Sequence, residues 1–421
     1  MNYKKYSNNA YNLHIITTDK FKTTMIKINF KNKVKEIDAT YRNLLTKVLM
    51  QSNQNYPSKK DLEIAVEDLY NLSVSASNFI SGNYIITSFN TMFLNEKYTE
   101  NGMNEKSIEF ILDLIFKPNI KNNEFAYFDL AKRLVSDEIE TMKDDPKSYA
   151  NRRLLEEMGK DTILSYNPIG SADILNDITN DNLINYYKNL LKSDLIDIFI
   201  IGDVDYENIK KLISAKLKIN TVKKNSSSHF YEHKNIRKRA KTIKECKDLE
   251  QSKLCLGFKL NNLTDFEKKY VIGVYTFILG GGPDSKLFKN VREKHSLCYN
   301  ISCTHKPVNN TMVINAGINK NDFKKCLNLI KKEISKMSKA DFLDADLEAA
   351  KITYINSLKD IEDNQPSLLK IFESNEYLGF DLLDERSKNI KNVEKQDIVN
   401  FSKKIILDTV YFLEGDKSEE N

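Results

Sequence analysis

Residues 278–300 read ILGGGPDSKLFKNVREKHSLCYN, and the glycine triplet at their head invites a phosphate-binding loop. Such a loop needs G-x-x-x-x-G-K-[ST], so that backbone N–H groups converge and the lysine and hydroxyl meet phosphate and magnesium. That spacing is absent. Gly280, Gly281 and Gly282 run straight into Pro283, which has no N–H to offer. Lys286 follows a serine and is itself followed by Leu287. A nucleotide site is not expected, and the surrounding chain has to say what the triplet is for.

At 421 residues the chain exceeds one ordinary core, so two or more domains are expected. Apolar residues at 41% and charged residues at 29% describe a soluble globular protein. The net charge of +5 is small beside 64 basic and 59 acidic residues, and the basic surplus clusters only in KNIRKRAKTI, 234–243. That run lies between patterned regions and reads as a solvated linker, which gives no reason to expect nucleic acid as a partner. No window approaches 18 apolar residues, and the start MNYKKYSNNAYNLH lacks a signal-peptide core. Five cysteines without a CxxC pair agree with a cytoplasmic address and no membrane. Cys303 and His305 would share a strand face while Cys298 points to the other, so buried structural thiols are expected there, not a metal cluster.

Self-similarity organises the rest. The first half begins with the alternating strand TMIKINF (24–30), followed by helical stretches at 38–51 and 59–71. Strand-like LSVSASNF (72–79) and NYIITSFNTMFL (83–94) come next, then the amphipathic helix KSIEFILDLIF (106–116). The second half repeats the order: strand 252–258, helices 264–279 and 284–295, strands 297–303 and 311–318, helix 323–334. The offset is about 225 positions, which sets Glu67 opposite Arg292 and Val74 opposite Tyr299. Helical arms near 124–143 and 340–361 precede closing strands at 197–205 and 409–418. The reading is α+β: two copies, 1–215 and 244–421, each with an antiparallel-rich sheet covered by helices, joined by a linker at 216–243.

A duplicated α+β unit carrying LGGG, DS, LF, VREK and L-Y at 279–299 of its second copy resembles the M16 metallopeptidases, the family of insulinase, pitrilysin and mitochondrial processing peptidase. The resemblance covers nearly the whole chain. It implies a clamshell of two halves closing on an unfolded peptide. It makes the triplet a tight turn between helices, where glycine permits positive φ or close approach and Pro283 opens the next helix. Active members carry H-x-x-E-H on a helix of the first half. Residues i and i+4 share a helix face, so two imidazoles grip one Zn²⁺, and the glutamate acts as general base on metal-bound water. Anchored on YPS (56–58), that motif falls on NLLTK (43–47), with Asn43 and Lys47 at the histidine positions and Thr46 at the base. The later glutamate ligand survives as Glu138. An amide, a hydroxyl, an ammonium and one carboxylate do not make a tetrahedral zinc site.

The expectation is a degenerate site in which Lys47 contacts Glu138 in place of zinc. None of His14, His229, His233, His295 and His305 lies within a helical turn of 43–47, and His229 and His233 read as solvated linker residues. No cofactor is expected in this chain, zinc being left to a partner subunit. Arg292 and Tyr299 match the family pair that reaches toward the scissile bond, where Arg offers a fork of donors and the Tyr hydroxyl meets the oxyanion. The plainer alternative is that Arg292 pairs with Glu293 or another helix carboxylate and Tyr299 packs in a sheet. The resemblance implies a non-catalytic subunit of a bacterial two-gene pair, which binds peptide and works with a zinc-bearing M16 partner. A structural scaffold and a metallopeptidase with relocated ligands are the alternatives.

Overall fold

The structure, a computed structural model, describes residues 1–217 and 227–415. Part of the expected linker, at 218–226, and the end of the expected closing strand, at 416–418, lie outside the described residues. From Asn2 to Lys216 the chain runs β1 (Asn2–Ser7), β2 (Tyr11–Thr17), β3 (Thr23–Lys33), α1 (Asp38–Leu49), α2 (Lys59–Asp68), β4 (Ser73–Ser81), β5 (Tyr84–Leu94) and α3 (Met103–Phe116). A short hairpin, β6 (Ile120–Lys121) and β7 (Glu124–Phe125), leads to α4 (Phe128–Thr141), α5 (Pro146–Met158), α6 (Ala172–Asp177), α7 (Asn180–Ser193), β8 (Leu195–Gly202) and α8 (Tyr206–Lys216). Then follow β9 (Lys241–Lys247), β10 (Ser252–Leu260), α9 (Ile272–Gly280), β11 (Asn300–Lys306), β12 (Thr311–Ile318) and α10 (Phe323–Ser338). The chain closes with α11 (Asp344–Glu362), α12 (Gln365–Leu378), α13 (Leu383–Lys391), α14 (Lys395–Ser402) and β13 (Ile405–Gly415).

Two compact units result. The first comprises 1–141, 166–227 and 365–373; the second comprises 142–165, 228–364 and 374–421. The first unit's sheet has the order β1-β2-β8-β3-β5-β4, and the second's has β11-β12-β10-β13-β9. Apart from β1, one order is the other read backwards. Each sheet also has a single parallel pair, β2 with β8 and β9 with β13, and is otherwise antiparallel. The α+β duplication is therefore present at the level of strand order and direction. Each unit has strands ahead of the one with which the sequence reading began, β1 and β2 in the first and β9 in the second. In the second unit that strand is KTIKECK, whose side chains alternate between exposed and half-buried. An edge strand of this composition carries no hydrophobic run to announce it.

In the first unit the period-2 pattern of β3 puts Ile26, Ile28 and Phe30 into the core with Leu13, Ile15, Ile198 and Ile200. Leu44, Leu45, Val48 and Leu49 of α1 pack into the same cluster. Each such side chain, fully buried, contributes about 1.5–3 kcal/mol. Arg42 is held inside by acceptors for four of its five N–H donors. Its Nη2 donates to Asp194 Oδ2 at 2.6 Å, its Nη1 to Thr87 Oγ1 at 3.1 Å and Phe30 O at 3.2 Å, and its Nε to Tyr186 OH at 3.2 Å. This anchor fixes α1 against β3, β5 and the end of α7, and so aims the opposite face of α1. A capping box between Ser58 and Asp61 starts α2.

Candidate functional site

The helix that carries NLLTK is α1, and Glu138 lies in the last turn of α4, which packs against it. Asn43 and Lys47 are four residues apart and present their tips to one carboxylate. Lys47 Nζ stands 3.0 Å from Glu138 Oε2, and Asn43 Nδ2 donates to the same oxygen at 3.3 Å. The contact expected between Lys47 and Glu138 is made. Both ends are about one-third exposed, at 36% and 38%, so the pair adds at most about 1 kcal/mol to stability.

Asn43 also donates to Ile169 O at 3.0 Å, and Thr46 Oγ1 donates to Asn43 O at 2.8 Å. The Thr46 hydroxyl accepts from Asn78 Nδ2 at 3.2 Å, while Asn78 Oδ1 accepts from Thr87 Oγ1 at 2.7 Å. A hydrogen-bonded chain thus runs from Arg42 through Thr87, Asn78 and Thr46 back to α1. Asn78 and the Ile169 carbonyl were not foreseen. They come from a strand and a loop far away in sequence, with no local pattern to mark them.

These residues do not fit zinc. The Asn43 amide turns its N–H donors toward Glu138 and Ile169, and Lys47 puts a positive charge where a metal cation would sit. The Thr46 hydroxyl is taken up by its neighbours and leaves no base for water. Among the described residues, no group of three or more His, Cys, Asp and Glu side chains is arranged to hold a metal ion.

In the second unit the triplet ends α9, with Gly281 as its C-cap. The expected tight turn is there, but its physical cause differs in part. None of the three glycines has positive φ. Close approach is what Gly280 and Gly281 provide: a Cβ on Gly280 would stand 2.8 Å from Cys303 Cβ, and one on Gly281 would stand 2.6 Å from Phe277 Cα. A Cβ on Gly282 would meet nothing within 4 Å. Pro283 sits in the turn itself, ahead of a helix that begins at Lys286. That helix adopts the wider π form over Phe288–Glu293, with Lys294 N–H bonded to Lys289 O at 3.0 Å.

Arg292 is exposed on this π turn, its guanidinium 4.4 Å from the centre of the Phe288 ring. It forms no ion pair with a described residue, so neither Glu293 nor another helix carboxylate engages it. Tyr299 precedes β11 instead of lying in it, and is 55% exposed, with its N–H donating to Gly317 O at 3.0 Å. Both side chains therefore reach solvent from one short connection between helix and strand. Burial raises the thiol of Cys298, between them, to about 11, with the Arg292 charge opposing the rise. All five cysteines are free; Cys246 is exposed and the other four are buried.

The histidines of the expected solvated linker are packed instead. His229 is 6% exposed and stacks on Tyr377 with ring centres 5.0 Å apart. His233 Nε2 lies 2.8 Å from Asn310 O, and burial lowers its pKa. The polar sequence around them gave no sign that neighbouring backbone and aromatic groups would take them in. His305 on β11 contacts Thr276 Oγ1 at 3.1 Å, and burial lowers its pKa to about 4.

Comparison with known proteins adds an independent line. Residues 177–354 match the family described as the peptidase M16 inactive domain. A probable inactive metalloprotease of Bacillus subtilis is 28% identical over 421 residues, covering 99% of this chain and 98% of its own. An uncharacterized zinc protease of Rickettsia bellii is 26% identical over 204 residues, 48% of this chain and 47% of its own. A conserved protein from Enterococcus faecalis has the same fold with a TM-score of 0.92 at 25% identity, each chain covered in full. A peptidase M16 inactive domain from Pseudomonas fluorescens matches the fold with a TM-score of 0.80 at 14% identity, again over both whole chains.

Proposed function

We propose that this chain, similar to the peptidase M16 inactive domain over residues 177–354 and to a probable inactive metalloprotease over its length, acts as a non-catalytic M16-type subunit, binding unfolded peptide beside a zinc-bearing partner. The observation that carries the reading is the asymmetry between its two candidate sites. At the zinc positions the Lys47–Glu138 ion pair stands where a metal would be, backed by the Asn43 amide. In the second unit Arg292 and Tyr299 remain exposed, and Arg292 is not neutralised by a neighbouring carboxylate.

In this role Arg292 and Tyr299 supply donors to the peptide carbonyl whose cleavage the partner's zinc carries out. The chain itself holds no zinc and performs no hydrolysis. Five free cysteines support a cytoplasmic address, and no helix of the described residues is long and apolar enough to cross a membrane. Neither nucleic acid nor a membrane enters the proposal.

The test is to reconstitute the chain with its zinc-bearing partner and measure peptide cleavage by the pair. Arg292→Ala and Tyr299→Phe are expected to lower kcat/KM by roughly tenfold or more, the loss of one charge-assisted or oxyanion hydrogen bond. Unchanged cleavage with both variants would favour a structural scaffold.

A further inference from the structure

The basic run that sequence analysis assigned to a solvated linker is folded onto the second unit. Tyr231 N–H donates to Val308 O at 2.8 Å, Asn310 Nδ2 donates to Tyr231 O at 2.9 Å, and Lys259 Nζ donates to Asn235 O at 3.1 Å. With residues just after α5, the pinned segment walls a cavity of about 370 Å³. That volume is within the range of small-molecule sites, about 300–1,000 Å³.

The lining has two characters. Met158, Leu164 and Ile236 make an apolar side. Lys160, Lys234, Arg237 and Lys259 make a cationic one. Opposing them are Asp161 at the lining and Asp408 behind it, the latter fully buried, so positive charge is left over.

Asp408 organises the inner pair. It sits 2.6 Å from Arg237 Nη1 and 2.9 Å from Lys259 Nζ. Donors remain after this. Lysine has three N–H groups, and one of Lys259's is committed, to Asn235 O, while its charge faces Asp408 Oδ1 at 2.9 Å. Arginine has five, and three of Arg237's are committed, to Asp408 Oδ2, Thr409 Oγ1 and Glu157 O. Lys160 and Lys234 are exposed and form no ion pair with a described residue.

We propose that this cavity binds a small organic phosphate, its oxyanion head on the Arg237–Lys259 side and its body against Met158, Leu164 and Ile236. A phosphate carries nearly two charges and three acceptor oxygens, which matches spare donors on two fixed cations and two further ammonium groups. Burial, with the Lys259 charge adding to it and the Asn310 carbonyl opposing, lowers the pKa of His233 at the cavity.

The test is isothermal titration of the full chain with phenyl phosphate, inorganic phosphate and benzoate at fixed ionic strength. Phenyl phosphate is expected to bind saturably and more tightly than inorganic phosphate, with benzoate weakest. Lys160→Gln with Lys234→Gln, both on the surface and without structural partners, is expected to weaken phenyl phosphate about tenfold. Lys331→Gln with Lys332→Gln, exposed on α10, is expected to change nothing. No saturable binding at millimolar phenyl phosphate would overturn the proposal. So would equal binding by benzoate, or equal loss in the two lysine pairs.

Discussion

Arg42 and His305 are where single side chains decide most. With all its acceptors inside the first unit, Arg42 is stable only while Asp194 answers its charge. Asp194→Ala leaves a buried guanidinium uncompensated and is expected to cost about 3–5 kcal/mol, read from the shift in denaturant midpoint. Lys47→Ala, by contrast, removes a one-third exposed partner and should cost no more than about 1 kcal/mol. His305 gives the chain a pH dependence. Its folded pKa, about 4, is below the ordinary histidine value, so the unfolded chain binds the proton more readily. The associated stability is present above pH about 6.5 and is lost as the pH falls from there toward 4. Over that interval His305→Gln is expected to flatten the slope of unfolding free energy against pH; an unchanged slope would place the proton uptake elsewhere.

Among the elements, the glycine turn after α9 separates two explanations that look identical in sequence. Gly280 and Gly281 are held by space and Gly282 by neither space nor backbone angle. Gly280→Ala must move Cys303, which lies midway along the β11 pairing with β12, and is expected to cost about 1–3 kcal/mol. Gly282→Ala is expected to stay within about 0.5 kcal/mol of the parent. Thermal unfolding of the two single variants checks the pair, and equal effects would mean that the turn is limited by something other than contact. The same contrast explains how far motifs can be read. That helices flank the triplet is legible from the apolar run before it and the amphipathic run after it. That Gly280 is needed depends on Cys303, on a strand some twenty residues on that only packing brings near, whereas Gly281 is limited by Phe277 of its own helix.

For the molecule as a whole, the question is whether the chain holds zinc at all. The purified chain, equilibrated with zinc and freed of excess, is expected to retain close to none. The triple variant Asn43→His, Thr46→Glu, Lys47→His is expected to retain about one equivalent per chain, because Glu138 already stands beside both Asn43 and Lys47 on α1. A tightly held zinc in the parent chain would restore the peptidase reading. Absence of zinc in the triple variant would mean that α1 and α4 are not spaced for coordination.

By itself the sequence determined the duplication, the α+β class and most elements, because hydrophobic period and repeat spacing are local properties. It also pointed to the pairing of Lys47 with Glu138, since two opposite charges at family-related positions need one another. Tertiary structure alone decided the leading strands β2 and β9, and the docking of 228–237 on the second unit. It also decided the acceptors that finish Asn43, Thr46 and Arg42. Those depend on groups far apart in sequence, and a charged edge strand or a polar segment looks the same whether water or protein satisfies its hydrogen bonds.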